Sequence, residues 1–267
     1  MRRWLLALLL AVACTPPSPA AADRLDEIRA RGRLMLGTCY TAPPYCLREP
    51  GQSNIKGYDL DIVARVAAHL GVGVDVVLVE GGTQIPLLAE DKVDLVAASM
   101  TRTPERSRVV EFSIPYFFGP QGIVVKRSSG IAVARDLAGR KIAAIKGSTV
   151  GAAIEEAIPR AKIVQYGNHA QCFEAFRSGE VDAFATDMLL LRAYLQRDVD
   201  QYLFIPDFER RRAAAFAIKK GEVGLRDAVN RALLGLEASG EAASIYDAWF
   251  GPKSDTPLPR SFRIQRE

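Results

Sequence analysis

Six polar side chains in this sequence suit a small ligand that carries opposite charges at its two ends. Arg106 supplies a guanidinium group and Asp187 supplies a carboxylate. A guanidinium holds a carboxylate through two parallel hydrogen bonds, and a carboxylate accepts hydrogen bonds from an ammonium group. The other four supply neutral hydrogen bonds and are Ser99, Thr101, Ser148 and Thr149. The set predicts a site for a zwitterion, in which each charge that loses water finds a partner.

Arg106 lies in a helix start that comes directly after a buried strand. Thr103 is the predicted N-cap, Pro104 fits the first helical position, and Glu105 complements the positive helix end. The strand before it, Val93 to Ala98, is almost continuously apolar, so its carboxyl end is expected where open α/β sheets bind ligands. A capped surface helix with a solvated arginine is the alternative that this segment alone leaves open.

The second group of polar residues follows strands later in the chain. The turn Gly147-Ser148-Thr149 lies between a predicted strand and a predicted helix, where free N–H groups and hydroxyls bind anions. Asp187 closes the predicted strand Val181 to Thr186. Helix capping by the turn, and an ordinary exposed aspartate, are the alternatives.

Strands and helices alternate in two cycles, which is typical of mostly parallel α/β sheets. The first cycle includes a helix predicted at Gln84 to Ala89, and the second includes strands predicted at Lys141 to Ile145 and Lys162 to Tyr166. We predict a first lobe from residues 23–118 and 213–267 and a second lobe from 119–212, so that the chain crosses between them twice at a hinge. An apolar strand is predicted near Arg212 to Lys219, and the helices predicted at Leu225 to Ser239 and Glu241 to Phe250 pack back on the first lobe. Such lobes enclose a cleft at the carboxyl ends of both sheets, where a ligand is gripped from two sides.

Residues 1–22 have the pattern of a secretory signal, with Arg2 and Arg3 before an uncharged stretch and small residues up to Ala22. A lipoprotein-type signal that leaves Cys14 as the lipid site is the alternative. We therefore predict an exported, periplasmic protein. An oxidising compartment permits a disulfide between Cys39 and Cys46, which flank a tight Pro-Pro turn, although spacing alone does not fix the pairing.

Composition excludes several other classes of function. The 267 residues carry 35 basic and 31 acidic side chains, and loss of residues 1–22 removes only two of the basic ones, so nothing predicts binding to nucleic acid. The densest basic run, Arg210-Arg211-Arg212, follows Glu209 and is interpreted as a solvated loop. The cysteines and the two histidines, His69 and His169, lack the spacing of a metal site, and no cofactor is predicted.

Two motifs resemble those of extracytoplasmic solute-binding proteins that deliver amino acids to ABC importers. They are Gly57-Tyr58-Asp59-Leu60-Asp61 and the block Thr101 to Tyr116, and the resemblance extends from Leu25 to about Arg263. It implies the two-lobed type II periplasmic-binding-protein fold, an amino-acid ligand, a membrane permease as partner and a monomer. It also implies that Arg106 holds the ligand α-carboxylate with Ser148 and Thr149, that Asp187 receives the α-ammonium, and that Ser99 and Thr101 take part.

Within that family the sequence is most similar to glutamate/aspartate-binding proteins, through Gln84-Ile85-Pro86-Leu87-Leu88 and Gly167-Asn168-His169 among other segments. Cys39 and Gln84 stand where those proteins carry arginines for the acidic side chain, so the predicted ligand is a polar rather than a specifically acidic α-amino acid. Ala42 and Gly81 stand where many amino-acid binders carry aromatic rings. His169 is expected either to face the ligand or to cap its helix.

The leading hypothesis is therefore a binding protein that is not an enzyme. Cyclohexadienyl dehydratases resemble the same fold and share the string Phe112 to Tyr116, which makes prephenate dehydration the enzymatic alternative, with Glu80 or Asp187 as proton donor. A ligand-sensing module for a membrane receptor is the third hypothesis.

Overall fold

The computed structural model describes residues 23–266. The predicted export signal at 1–22, including Cys14, lies outside the described residues. Within the described part, no helix combines the length and the apolar character that crossing a membrane requires.

Helices and strands alternate along the chain, as predicted. Before the first crossing between lobes they are α1 (Arg24–Arg31), β1 (Arg33–Thr38), β2 (Thr41–Ala42), β3 (Cys46–Leu47), α2 (Tyr58–Leu70), β4 (Gly73–Leu78), α3 (Gln84–Ala89), β5 (Leu95–Val96), α4 (Pro104–Ser107) and β6 (Val110–Phe112). Between the crossings they are β7 (Phe117–Lys126), β8 (Lys141–Ile145), α5 (Thr149–Ala157), β9 (Lys162–Tyr166), α6 (His169–Ser178), β10 (Ala183–Asp187), α7 (Met188–Leu195) and β11 (Tyr202–Ala214). After the second crossing they are β12 (Ala217–Lys219), α8 (Val223–Ser239) and α9 (Glu241–Phe250).

Each lobe is built on one five-stranded sheet. The first has the order β4-β1-β5-β12-β6 and the second the order β11-β7-β10-β8-β9. β12 is the antiparallel member of the first sheet and β7 that of the second, so four of the five strands in each sheet run in one direction. The mostly parallel α/β fold predicted for each lobe is confirmed. α2 packs against α8 and α9, which places the last two helices on the first lobe.

The chain crosses between the sheets twice, from β6 to β7 and from β11 to β12. The predicted single strand from Arg212 to Lys219 is wrong in this respect, because its first part ends β11 in one sheet and its last part forms β12 in the other. The two crossing segments bond to each other, since Tyr116 N donates to Ala214 O and Ser113 N donates to Phe216 O. The boundaries predicted at 118/119 and 212/213 lie inside β7 and β11 and stay predictions.

Aromatic side chains fill the hinge where the crossings meet the first lobe. Tyr58 donates its hydroxyl hydrogen to Tyr116 O at 2.9 Å, and the Tyr116 and Phe216 rings stack at 4.2 Å. Phe117 and Phe250 pack on Tyr58 at 5.7 and 5.0 Å between ring centroids. These rings are buried or nearly so, and they fix the strands that carry the cleft residues.

A disulfide joins Cys39 and Cys46, so the pairing that the sequence permitted is present, whereas Cys172 is free and buried. The turn between them carries Tyr45, which is buried against the hinge. Gly57 follows at a φ of 151°, and a Cβ there would lie 2.1 Å from Tyr45 O. Only glycine therefore fits between this loop and the start of α2.

Candidate functional site

The eight residues predicted as ligand-binding all line one cavity between the lobes, with a volume of about 90 Å³. From the first lobe come Gln84, Ser99, Thr101 and Arg106, and from the second lobe come Ser148, Thr149, His169 and Asp187. The strand ends place them there, since Ser99 and Thr101 follow β5, the turn at Ser148 follows β8, and Asp187 ends β10.

Arg106 is positioned by a capped turn of helix, as predicted. The Thr103 side chain accepts a hydrogen bond from Arg106 N, and Pro104 occupies the first turn. The guanidinium points into the cleft, where Nη1 donates to Thr101 O at 2.7 Å and Nη2 donates to Gly147 O of the opposite lobe at 2.8 Å. This geometry differs from the alternative of a solvated surface arginine.

The charge of Arg106 is not balanced by a carboxylate. None of the ion pairs within residues 23–266 involves it, and both influences on its guanidinium disfavour the charge: desolvation first, then repulsion from Arg212. These two causes lower the pKa of Arg106 from its ordinary value. A partly desolvated cation without a counter-ion creates a favourable place for an anion.

Two hydroxyl groups face Arg106 from the second lobe. Ser148 has the extended backbone of an N-cap residue, yet its side chain makes no capping bond to α5. Its Oγ is buried and has no hydrogen-bond partner in the described part of the chain. Thr149 Oγ1 lies 3.4 Å from Thr101 Oγ1 and 3.3 Å from Gln121 Nε2. The capping alternative for Ser148 is therefore not what the structure contains, and its hydroxyl is available to a ligand.

Asp187 is almost completely buried at the opposite end of the cavity. It caps α7, because Oδ1 accepts from Leu189 N at 3.0 Å, and it also accepts from the Tyr45 hydroxyl at 2.7 Å. Oδ2 accepts from Arg212 Nε at 2.9 Å and lies 2.8 Å from Arg212 Nη2. Asp187 is thus one half of a buried ion pair, not the exposed aspartate of the alternative interpretation.

The interpretation of Arg210-Arg211-Arg212 as a solvated loop is wrong. The run belongs to β11 and pairs with β7; Arg212 is buried near the end of the strand, next to the crossing to β12, whereas Arg210 and Arg211 are exposed. Arg212 is 4% exposed. Burial is the largest single influence and by itself would lower the pKa of Arg212, but the Asp187 carboxylate together with Tyr45 and Tyr116 outweighs it, and the pKa is raised.

His169 and Gln84 line the cavity beside these charges. Asn168, not His169, caps α6, and His169 Nε2 lies 3.2 Å from Thr186 Oγ1. Burial, with a smaller contribution from Arg212, lowers the pKa of His169 to about 3, so the imidazole is uncharged at neutral pH. Gln84 Oε1 accepts from Gly82 N at 3.1 Å, which leaves its amide N–H groups for a ligand.

The mouth of the cleft is closed by contacts between the lobes. Glu80 Oε1 accepts from the Tyr40 hydroxyl at 2.7 Å and from Asn168 Nδ2 at 3.1 Å. Gly81 N donates to Gly167 O at 2.8 Å. A Cβ at Gly81 would lie 2.3 Å from Ile145 Cγ2, so the absence of a side chain permits this approach.

Sequence reasoning missed several residues of the cavity wall. They are Arg212, Gln121, Lys146 and Thr186. Three consecutive arginines hide which of them points inward, and only the register of β11 against β7 decides it. Lys146 lies between the end of β8 and the predicted turn Gly147-Ser148-Thr149, and Thr186 directly precedes Asp187 on β10, so the positions of both next to the cleft were available from the sequence. Within residues 23–266 no group of three or more His, Cys, Asp or Glu side chains is arranged to hold a metal ion.

Comparisons with known proteins agree on the kind of molecule. The family described as bacterial extracellular solute-binding proteins, family 3, matches residues 34–252. The ABC transporter glutamine-binding protein GlnH of Bacillus subtilis is 31% identical over 85% of this chain and 84% of its own length. The glutamate-binding protein GluB of Corynebacterium efficiens is 28% identical over 82% of this chain and 79% of its own.

A solved structure shares the fold closely. The ancestral amino-acid-binding protein AncCDT-1, described as a precursor of cyclohexadienyl dehydratase, superimposes with a TM-score of 0.77 at 33% identity. The match covers 85% of this chain and 99% of that one. The two-lobed architecture predicted from the sequence is therefore confirmed.

Proposed function

We propose that this chain, which belongs to the bacterial extracellular solute-binding proteins of family 3, captures a polar α-amino acid between its lobes and delivers it to an ABC importer. In this proposal it acts outside the cytoplasm, as a monomer and without catalysis. The observation that carries it is Arg106, a partly desolvated guanidinium without an acidic partner in the described chain, facing the unpartnered Ser148 hydroxyl across a closed cavity.

In the proposed complex the ligand α-carboxylate takes the place opposite Arg106. Ser148 and Thr149 donate their hydroxyl hydrogens to it from the second lobe, and Thr101 does so from the first. The ligand thereby joins both lobes, which couples binding to closure. Gln84 and the uncharged His169 are the groups proposed to meet a polar side chain. The predicted role of Asp187 as acceptor of the α-ammonium requires Arg212 to share that carboxylate.

The relatives support the importer part of the proposal, since GlnH is by name a binding protein of an ABC transporter. A ligand sensor would need the same cleft, so the two are separated by an uptake measurement. Deletion of the gene should lower uptake of the bound ligand by cells, and re-expression should restore it. Unchanged uptake with intact signalling would favour the sensor.

The site offers little to the dehydratase alternative. Glu80 is exposed, and hydrogen bonds from Tyr40 and Asn168 lower the pKa of its carboxyl group, which makes it a poor proton donor. Asp187 is paired with Arg212. Release of phenylpyruvate from prephenate by the purified protein would revive this alternative.

Isothermal titration calorimetry with the twenty amino acids tests the binding proposal. Saturable binding of at least one polar member is expected, and a Kd near micromolar corresponds to about −8 kcal/mol. Folded protein that gives no saturable heat with any of the twenty would refute the amino-acid part of the proposal.

A further inference from the structure

The protein itself occupies the carboxylate of Asp187. A carboxylate offers about four lone-pair sites. Oδ1 accepts from the Tyr45 hydroxyl at 2.7 Å, from Leu189 N at 3.0 Å and from Leu190 N at 3.4 Å. Oδ2 accepts from Arg212 Nε at 2.9 Å and lies 2.8 Å from Arg212 Nη2 in the ion pair. An ammonium group that entered the cavity would therefore have to compete with Arg212 for the Asp187 carboxylate.

Arg212 also takes the neutral acceptors beside Asp187. Its Nη2 donates to Ser99 Oγ at 2.7 Å and its Nη1 donates to Ser99 O at 3.3 Å. The guanidinium therefore stands among the acceptors at this end of the cavity, in the position that a ligand cation would need.

Two aromatic rings and the pairing of its backbone in the sheet fix the position of the Arg212 side chain. Its guanidinium carbon lies 5.2 Å from the centroid of the Tyr45 ring and 5.5 Å from that of Phe117. Its backbone pairs with Gly119 in the sheet. A buried guanidinium that is stacked on rings and bonded to a carboxylate does not leave its site as a surface arginine would.

The ionisable side chains of the cavity wall carry an excess of positive charge. Arg106, Lys146 and Arg212 are cations, whereas Asp187 is the anion among the described lining residues and His169 is uncharged. Asp59 lies one layer behind, where it accepts from Ser99 N and the Tyr116 hydroxyl. This excess of positive charge favours a carboxylate over an ammonium group in the cavity.

We propose that Arg212 supplies to Asp187 the positive charge that an α-ammonium group would bring, so that the cleft takes small polar carboxylic acids whether or not they carry an α-amino group. The inference rests on the proposed function only in requiring Arg106 to hold the carboxylate. It widens the ligand class from α-amino acids to their 2-hydroxy counterparts.

Calorimetry with matched ligand pairs tests the inference. The pairs are L-aspartate with L-malate, L-glutamate with L-2-hydroxyglutarate, and L-serine with L-glycerate, which differ only in the α-substituent. Within a pair that binds, the two Kd values of the wild-type protein are expected to agree within about tenfold, which is less than one charge-assisted hydrogen bond to the ammonium group would produce. A preference of a hundredfold or more for the amino acids would overturn it.

Arg212→Gln frees one oxygen of Asp187 and should shift the preference towards the amino acid by about tenfold or more. Arg210→Gln removes the same charge from an exposed position on the same strand and should leave both Kd values unchanged. A folded Arg212→Gln protein with an unaltered ratio contradicts the inference.

Asp187→Asn gives an independent readout that does not need the Arg212 variant. Asparagine caps a helix as well as aspartate does, so α7 keeps its first turn. If the ammonium group does not touch Asp187, both members of a pair change affinity together, and loss confined to the amino acids contradicts the inference. Strong preference for amino acids would refute this inference and keep the proposed function, whereas binding of hydroxy acids alone would refute the amino-acid function and also the expected similarity of the two Kd values. Binding of neither series would refute both.

Discussion

The two ends of the cleft each contain a desolvated arginine, but only one of the two has an acid of its own. Arg212 is paired with Asp187 and stacked on Tyr45 and Phe117. Arg106 donates to two backbone carbonyls and lacks a carboxylate partner among residues 23–266. The charge at the Arg212 end is therefore neutralised within the protein before a ligand binds, whereas the charge at the Arg106 end is not.

This difference separates stability from recognition. A buried pair contributes to stability chiefly because removal of one member strands the other, whereas an unpaired cation contributes little to stability and awaits an anion. The Arg212 end is therefore expected to respond to mutation in the free energy of unfolding, and the Arg106 end in affinity.

The largest expected effect is the loss of stability in Arg212→Gln. Breaking a buried ion pair from one side costs about 3 to 5 kcal/mol, because the Asp187 carboxylate stays buried. Urea denaturation followed by circular dichroism should show a midpoint far below that of the wild-type protein. Arg106→Gln and the exposed Arg210→Gln should each change the unfolding free energy by less than about 1 kcal/mol. Equal losses at Arg212 and Arg106 would remove the distinction between the two ends.

Arg106→Gln should have the opposite profile, with affinity lost and stability kept. A hydrogen bond to a charged group contributes about 1.5 to 3 kcal/mol, and a guanidinium makes two of them to a carboxylate. We expect Kd to rise about a hundredfold or more in calorimetry. The matched control is Arg108→Gln, two residues along on an exposed position. Binding that survives in Arg106→Gln would place the ligand carboxylate elsewhere.

The same contrast explains how far the sequence could predict the site. Arg106 was recognisable because local signals surround it: a buried strand, an N-cap threonine and a proline at the helix start. Arg212 had no such signal. Its inward direction depends on the register of β11 against β7, in which Arg212 pairs with Gly119, 93 positions earlier in the chain.

The fold itself was predictable to a large degree, because α3, β8, β9 and α9 begin and end at the residues predicted from periodicity and turn chemistry. The incorrect prediction of one strand over the end of β11 and β12 has a physical cause. Ala213 to Ala217 is apolar throughout, which is typical of one buried strand, and the sequence gives no sign that backbone bonds to the other crossing segment divide it between two sheets. The cleft residues Ser148 and Asp187 were predictable as strand ends, but their contacts were not.

Closure of the cleft supplies a smaller effect that acts on both ends together. Gly81→Ala would place a methyl group against Ile145 Cγ2 and 3.0 Å from Lys146 O. The closed state should weaken, and Kd should rise by about tenfold while each lobe keeps its stability, since an energy of about 1.4 kcal/mol corresponds to that factor. Ile145→Ala removes the side chain that the new methyl group would meet. Gly81→Ala should therefore raise Kd by a smaller factor in the Ile145→Ala background than in the wild-type protein. If the two substitutions simply add in the free energy of binding, the contact between position 81 and Ile145 does not limit closure.

The smallest effect is the pH dependence of stability. It distinguishes the two ends of the cleft, because the titratable carboxyl group of Asp59 lies behind Arg212, whereas no acidic group in the described part of the chain pairs with Arg106. Burial raises the pKa of Asp59 from its ordinary 3.8 to about 6, even though Ser99 N and the Tyr116 hydroxyl hydrogen-bond to its carboxylate. The folded protein therefore keeps a proton on Asp59 at pH values where the unfolded chain has lost it, and its contribution to stability grows as the pH falls from 7 towards 4.

Urea titrations of the wild-type protein and of Asp59→Asn measure this contribution. Relative to Asp59→Asn, the free energy of unfolding of the wild-type protein should rise by on the order of 1 to 2 kcal/mol between pH 7 and pH 4.5. A constant difference between the two proteins would mean that Asp59 is solvated or ionised throughout. Carboxylate binding at Arg106 should not follow this transition, because no titrating acid is paired with Arg106 in the described part of the chain.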